Sequence, residues 1–195
     1  MKKLFYSMMC LLCSVLVFTA CGDDDDDPVI DEVWKTENEQ ALADIAANSE
    51  YTKYQAKSST DANKVIYKKV LKAGNGKKIF YNSRVNVYYK GWYIDGVSFD
   101  QRLIEDGIPA MVAVSSAVAN ATSIIEGYAT VIEGWTTALQ FMEEGEKAEI
   151  WIPQELAYGP EGTKNSNTGE VIIPGYSTLK FEIEVVKAYT YGVDF

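Results

Sequence analysis

An α+β fold, an antiparallel sheet carrying one short helix, is predicted for the body of this chain by three observations. Between residues 65 and 186 most apolar residues fall in short runs rich in branched and aromatic side chains, punctuated by Gly, Asn and Asp. Within that stretch Ile132–Met142 places its apolar residues at 132, 135, 138, 139 and 142, a helical period. A hydrophobic content of 47% over 195 residues supplies one core with appendages to spare.

The appendages come first in the chain. Lys2 and Lys3 precede an apolar run from Leu4 to Ala20, a secretory signal pattern over residues 1–20. At 17 residues the run is at the short end of what spans a bilayer, so a cleaved signal is preferred over an uncleaved anchor. Small residues lead into Cys21 in Phe18-Thr19-Ala20-Cys21, similar to the lipobox of bacterial lipoproteins with Phe18 in place of the usual Leu. Cys21 is therefore the expected lipidation site. Cys10 and Cys13 lie inside the signal, so the processed chain carries no disulfide. Processing removes two lysines and no acid, which takes 18 basic and 28 acidic residues to 16 and 28, a net charge of -12. Residues 21–29, with five consecutive aspartates Asp23–Asp27 before Pro28, read as an extended tether because adjacent like charges cannot pack. The acidic run also resembles surface-export signals of some Gram-negative lineages; a plain hydrophilic spacer explains it equally well.

Residues 30–57 read as helical. Val33, Trp34, Ala41, Leu42, Ile45 and Ala46 form one apolar face, Asp31 and Glu32 mark its start, and Asn48-Ser49 is a weak point after which the helix is expected to resume over Glu50–Ala56. Ser58–Asn63 is a linker. Strands follow at Val65–Leu71, Val85–Tyr93, Val97–Asp100, Pro109–Ser115, Lys147–Ile152 and Leu179–Val186. The second and third form a hairpin through Ile94-Asp95-Gly96.

Composition removes several classes of chemistry. With no histidine, Ser-His-Asp and Cys-His catalysis and His-ligated metal sites are unavailable. A pI near 4.6 argues against nucleic acid as a partner. Neither a phosphate-binding loop nor a dinucleotide fingerprint is present, so no cofactor is expected. Glu143, Glu144, Glu146 and Glu149 could hold a hard cation, but such a run at a helix end reads as a solvated face, and no metal is expected.

Four segments resemble, in order, the pocket motifs of FKBP-type peptidyl-prolyl cis-trans isomerases. They are Val87-Tyr88-Tyr89-Lys90-Gly91 with Asp95-Gly96-x-x-Phe99-Asp100; Val131-Ile132-Glu133-Gly134-Trp135; Ile152-Pro153-x-x-Leu156-Ala157-Tyr158-Gly159; and Ile172-Ile173-Pro174-x-x-x-Thr178-Leu179-x-Phe181. The resemblance covers about residues 64–188 and implies a curved antiparallel sheet wrapped around one short α-helix, with residues 64–190 as the isomerase domain. It further implies Trp135 as the floor under a proline ring, Tyr89, Phe99, Val131, Ile132 and Phe181 as walls, and Ala157, Ile172 and Ile173 as rim. Tyr158 and the Ile132 amide are implied as hydrogen-bond donors, and Asp100 as a buried carboxylate facing the twisting carbonyl, so Asp100, Tyr158 and Phe99 are the implied catalytic residues. The implied partners are proline-containing polypeptides, with macrolides as inhibitors and the membrane reached through the lipid anchor.

Two features depart from the compact members of that family. About a dozen extra residues lie between Pro109 and Val131, with Ser115–Tyr128 as the surplus, expected to stand outside the core and to tune client binding. Where an aromatic usually follows the proline stands Ala110, so one wall is expected to be missing or supplied by Met111 or Tyr128. The loop Gly159–Ile172 is also longer and lacks the family's frequent histidine.

The implied reaction suits the composition. An X-Pro bond isomerises over tens to hundreds of seconds against a barrier near ~20 kcal/mol. Lowering ~100 s to ~10 ms takes about 5.5 kcal/mol, and an apolar cleft that favours the twisted, less charge-separated amide can supply it without a nucleophile. The expected function is an isomerase for exported proteins in the bacterial envelope. Alternatives are a binding module or holdase without turnover, and a surface lipoprotein that stacks its aromatics on glycans, though strand filling explains those aromatics more simply.

Overall fold

The computed structural model describes residues 31–115 and 128–190. The expected signal, Cys21 and the acidic tether lie outside the described residues, as does the surplus segment apart from Ser115 and Tyr128. Helix α1 spans Glu32–Ala47, and the Asp31 carboxylate accepts hydrogen bonds from the Val33 and Trp34 amides at 3.1 and 3.0 Å, a side-chain cap for its first turn. The helix rests on the body through Trp34, Asn38, Ala41, Leu42 and Ile45, while Val33 and Ala46 are exposed. Its most buried residue is polar. Asn38 accepts the Thr178 amide through Oδ1 at 2.7 Å, which is how an amide survives inside an apolar stripe.

The helix does not resume after Asn48. Thr52–Gln55 is instead strand β1, paired antiparallel with β2 (Val65–Lys72) in the register Thr52↔Lys68 to Gln55↔Val65. Local propensity loses here to a ladder partner and to the Tyr54 ring, which stacks on Phe141 at 4.5 Å.

The remaining strands are β3 (Ser83–Trp92), β4 (Ser98–Arg102), β5 (Ala110–Ala113), β6 (Lys147–Ile152), β7 (Thr163–Lys164), β8 (Val171–Ile173) and β9 (Leu179–Thr190). The main sheet runs β1-β2-β6-β9-β3-β4, with β5 on the other half of the edge that β3 offers to β4, and every pairing is antiparallel. β7 and β8 form a separate small hairpin inside the loop that the sequence left without structure. Val85, Val87, Ala148, Ile150, Ile152, Leu179, Ile183 and Val185 alternate along their strands and build one core with α2 (Glu133–Leu139). Helix and sheet meet closely because Gly134 has no side chain: a Cβ there would lie 2.3 Å from Ile152 Cγ2.

The acidic run after α2 is not a solvated face. Glu146 is buried against Lys68 at 2.7 Å, Glu144 binds Lys187 and the Ala188 amide, and Glu149 accepts from Tyr51, Trp151 and Lys180. Sheet pairing brings a basic or hydroxyl partner from β2, β9 or the segment before β1 to each of the three, which the local sequence could not show. Among the described residues no group of three or more metal-ligating side chains occurs, and no helix is long and apolar enough to cross a membrane.

Candidate active site

Alternation on β3 sends Val87, Tyr89 and Gly91 to the core side of the sheet, and Phe181 follows from β9 opposite Gly91. A side chain at 91 is excluded, since its Cβ would lie 2.6 Å from Phe181 Cε1 and 2.9 Å from Phe99 Cζ. The missing side chain lets the two phenyl rings meet edge to face at 5.5 Å. Trp135, in the first turn of α2, lies edge to face against Phe181 at 5.3 Å and against Tyr89 at 5.1 Å. Each ring is therefore held by its neighbours before any ligand arrives.

These rings enclose a cavity of about 430 Å³ lined by Tyr89, Phe99, Asp100, Val131, Ile132, Trp135, Tyr158 and Phe181, together with Ala110, Val112, Ala129 and Thr130. That Phe99 and Asp100, neighbours in one strand, both reach it is the work of a β-bulge. Trp92 pairs with Ser98 and Gly91 with Asp100, so Phe99 is the extra residue and the strand's alternation is reset at that point.

The Tyr89 hydroxyl donates to Asp100 Oδ2 at 2.8 Å. Burial, reinforced by that carboxylate, pushes the Tyr89 phenol well above its ordinary range. Burial likewise raises Tyr158, with the charge of Asp100 adding to it. The site thus holds one carboxylate among two firmly protonated hydroxyls. Asp100 itself is exposed rather than buried, because β4 is an edge strand and its outer side faces water. Tyr158 is positioned by a 3-10 turn, Gln154–Leu156, anchored by buried Leu156, and by Gly159 at φ 67, whose amide returns to the Gln154 carbonyl at 2.9 Å. The Ile132 carbonyl accepts from the Trp135 and Thr136 amides, whereas its own N–H has no acceptor among the described residues.

Three expected rim residues stand outside the cavity lining. Ile173 is buried in the core, Ala157 packs against that core, and Ile172 is exposed with its carbonyl accepting the Tyr93 hydroxyl. Nor does Met111 replace the missing aromatic: on β5 it points away, exposed, while Ala110 and Val112 face the cavity. Tyr128 lies over Arg84 instead, 5.3 Å from the guanidinium carbon to the ring centre. Ser115 is buried, so the surplus segment begins inside the core. Val112 was legible from strand alternation. Ala129 and Thr130 carried no signal, since what places them is a parallel bridge between Ala129 and Val112.

Comparison with known proteins follows the same outline. Residues 76–186, more than half of the chain, match the FKBP-type peptidyl-prolyl cis-trans isomerase family. The FKBP-type 22 kDa peptidyl-prolyl cis-trans isomerase of Escherichia coli is 36% identical over 119 residues, 61% of this chain and 48% of that protein. The outer membrane protein MIP of Legionella longbeachae is 36% identical over 118 residues, 60% of this chain and 42% of that one. The chain therefore spans about half, or less, of these two relatives. A crystal structure of a peptidyl-prolyl cis-trans isomerase from Pseudomonas syringae superposes with a TM-score of 0.61 at 29% identity, over 82% of this chain and 96% of that one.

Proposed function

The chain belongs to the FKBP-type peptidyl-prolyl cis-trans isomerase family, and we propose that it accelerates X-Pro isomerisation in exported or envelope polypeptides without covalent chemistry. One observation carries this reading: a ring-walled cavity closed on one side by the Tyr89–Asp100 pair. A proline ring seated on Trp135, between Tyr89, Phe99, Val131, Ile132 and Phe181, leaves bulk water. There the planar amide loses solvation that its charge-separated resonance form needs, while the twisted amide, with that resonance broken, loses less. The Tyr158 hydroxyl and the Ile132 N–H hold peptide carbonyls on either side of the bond. Asp100 faces the turning carbonyl and fixes the Tyr89 ring through its hydroxyl.

The test is the isomerisation rate of a proline-containing peptide with the purified protein and with Trp135→Ala. Trp135→Ala removes the floor, and binding and rate should fall together. A second reading, peptide binding without turnover, is favoured by Ala110, which leaves the wall low where family members carry an aromatic. Binding by the wild type at the uncatalysed rate of isomerisation would establish that reading instead. Macrolides compete for the same floor under either one.

The remaining organisation belongs to the same proposal: a signal over residues 1–20, lipidation at Cys21, a tether over 21–29, an N-terminal segment over 30–57 that carries α1 and β1, and the isomerase domain over 64–190, anchored in the bacterial envelope. Cys21→Ala should leave the protein unprocessed or soluble. An unchanged mass and an unchanged partition into detergent would remove the anchor from the proposal.

A further inference from the structure

Two elements at or beside the cavity have little sheet support, and both are tied to α1. Phe99 sits on the bulge of an edge strand joined to β3 alone, and Ile172 and Ile173 belong to the small β7–β8 hairpin outside the main sheet. Such peripheral elements open most easily in a folded protein. One stretch of α1 reaches both. Its Trp34 indole donates to Ser177 Oγ at 3.1 Å, and Ser177 donates to the Pro174 carbonyl at 2.7 Å. Asn38 accepts the Thr178 amide and receives the Thr178 hydroxyl on its carbonyl. Lys35 lies over the ring of Tyr176, a non-glycine residue held at φ 60, a conformation that costs energy and persists where its surroundings enforce it. Three consecutive residues leading into β9 are thus gripped by one five-residue stretch of helix, Trp34–Asn38.

The same indole meets Tyr93 edge to face at 6.1 Å, and Tyr93 does two things. Its ring packs on Phe99 at 4.9 Å, and its hydroxyl donates to the Ile172 carbonyl. From there the rings continue through Phe181 to Trp135. We propose that α1 is a working part of the pocket, with Trp34 and Asn38 as positioning residues that set its affinity for the prolyl ligand by bracing Phe99 and the β8–β9 connection. Neither residue touches the cavity. The inference rests on the isomerase reading for what the ligand is, but not for whether the brace exists.

The experiment uses the full chain with Trp34→Ala, Trp34→Phe, Asn38→Ala, Tyr93→Phe and the double variant Trp34→Ala/Tyr93→Phe. A prolyl tetrapeptide is the probe, and Ile79→Val, a remote core change, is the stability control. Trp34→Ala should raise Kd and KM about three- to tenfold with kcat nearly unchanged, the scale of coupling expected through packed neighbours. Trp34→Phe, which keeps a ring against Tyr93, should recover most of that. The double variant should lose less than the two single losses combined, because both act along one path. Amide exchange over residues 171–178 should quicken in Asn38→Ala. Unchanged affinity in Trp34→Ala, an equal loss in Ile79→Val, or strict additivity in the double variant would each overturn the proposal. If Trp34→Ala does not fold, Asn38→Ala decides it: weaker peptide binding with faster exchange over 171–178 supports the brace, and unchanged affinity overturns it. A wild type that binds no prolyl peptide defeats the isomerase reading. In that event exchange over 171–178 decides the brace, and an unchanged rate in Asn38→Ala overturns it.

Discussion

The Tyr89 hydroxyl and the Asp100 carboxylate meet at 2.8 Å across the β3–β4 hairpin, although the backbone partner of Tyr89 is Arg102 and that of Asp100 is Gly91. The side chains reach diagonally across the ladder at the bulge. Removing the carboxylate should therefore change the reacting side of the cavity more than its walls. Asp100→Val is expected to cut kcat/KM while a macrolide still binds, and Tyr89→Phe should reproduce a smaller part of the same loss. Isomerisation kinetics alongside macrolide titration check both; equal loss of binding and rate in Asp100→Val would assign that residue to the wall.

Tyr158→Phe keeps the ring over the cavity and removes one neutral donor. Its expected cost is about 1 kcal/mol of peptide affinity, the net worth of such a bond, with a matching and modest loss of rate. Calorimetry with the prolyl peptide checks the figure.

Gly91→Ala tests the ring packing without touching a polar group. The new methyl would have to displace Phe181 or Phe99, so an overpacking cost of about 1–3 kcal/mol is expected, together with weaker peptide binding. Urea unfolding and peptide titration of one preparation measure the two effects side by side.

Acidity enters through the tyrosines. Tyr89 and Tyr158 stay protonated through neutral and mildly alkaline pH, so kcat/KM should stay flat from about pH 7 to about pH 9. Tyr51, pushed up to about 12 by burial and by the Glu149 carboxylate, makes a stability difference of the same origin. Its folded pKa exceeds the ordinary value of 10.0, so the unfolded chain releases the proton first. Its contribution is complete below about pH 10 and is lost as pH rises toward about 12. Tyr51→Phe should flatten that alkaline decline in thermal melts. On the acid side, burial alone would raise Glu149, but hydrogen bonds from Tyr51, Lys180 and Trp151 outweigh it and hold the carboxyl low, so its contribution is lost as pH falls below the ordinary carboxylate range.

Lys68 and Glu146 form a buried ion pair at 2.7 Å, with Lys68 also donating to the Phe141 carbonyl. Lys68→Met leaves a carboxylate buried without its partner and should cost about 3–5 kcal/mol. Lys68→Met/Glu146→Leu should recover much of this, because no unpaired charge remains. Denaturant midpoints of the three proteins settle it, and a double variant no better than the single would show that the pair itself supplies the stability.

Much of this molecule is decided by local pattern. Alternation in Val85–Tyr93 and Leu179–Val186, the helical period of Ile132–Met142 and the Ile94-Asp95-Gly96 turn each depend on neighbours within a few residues, so a class of sheet with one helix could be derived before any contact was known. The order of four short motifs then pointed to eight of the cavity's lining residues. What the sequence could not determine depends on distant partners. Thr52–Gln55 became a strand because β2 offered it a ladder, Glu146 left water because Lys68 on β2 came to meet it, and Ala129 and Thr130 reached the cavity through a bridge to β5. Phe99 and Asp100 share one site because a bulge broke the period of two that strand reading assumes. Asn38, which no local pattern singled out, is the most buried residue of its helix because Thr178, 140 positions away, supplies the donor its amide requires. Periodicity reports which way a side chain points, but hydrogen-bond partners and ring contacts between remote segments exist only after the chain has closed on itself.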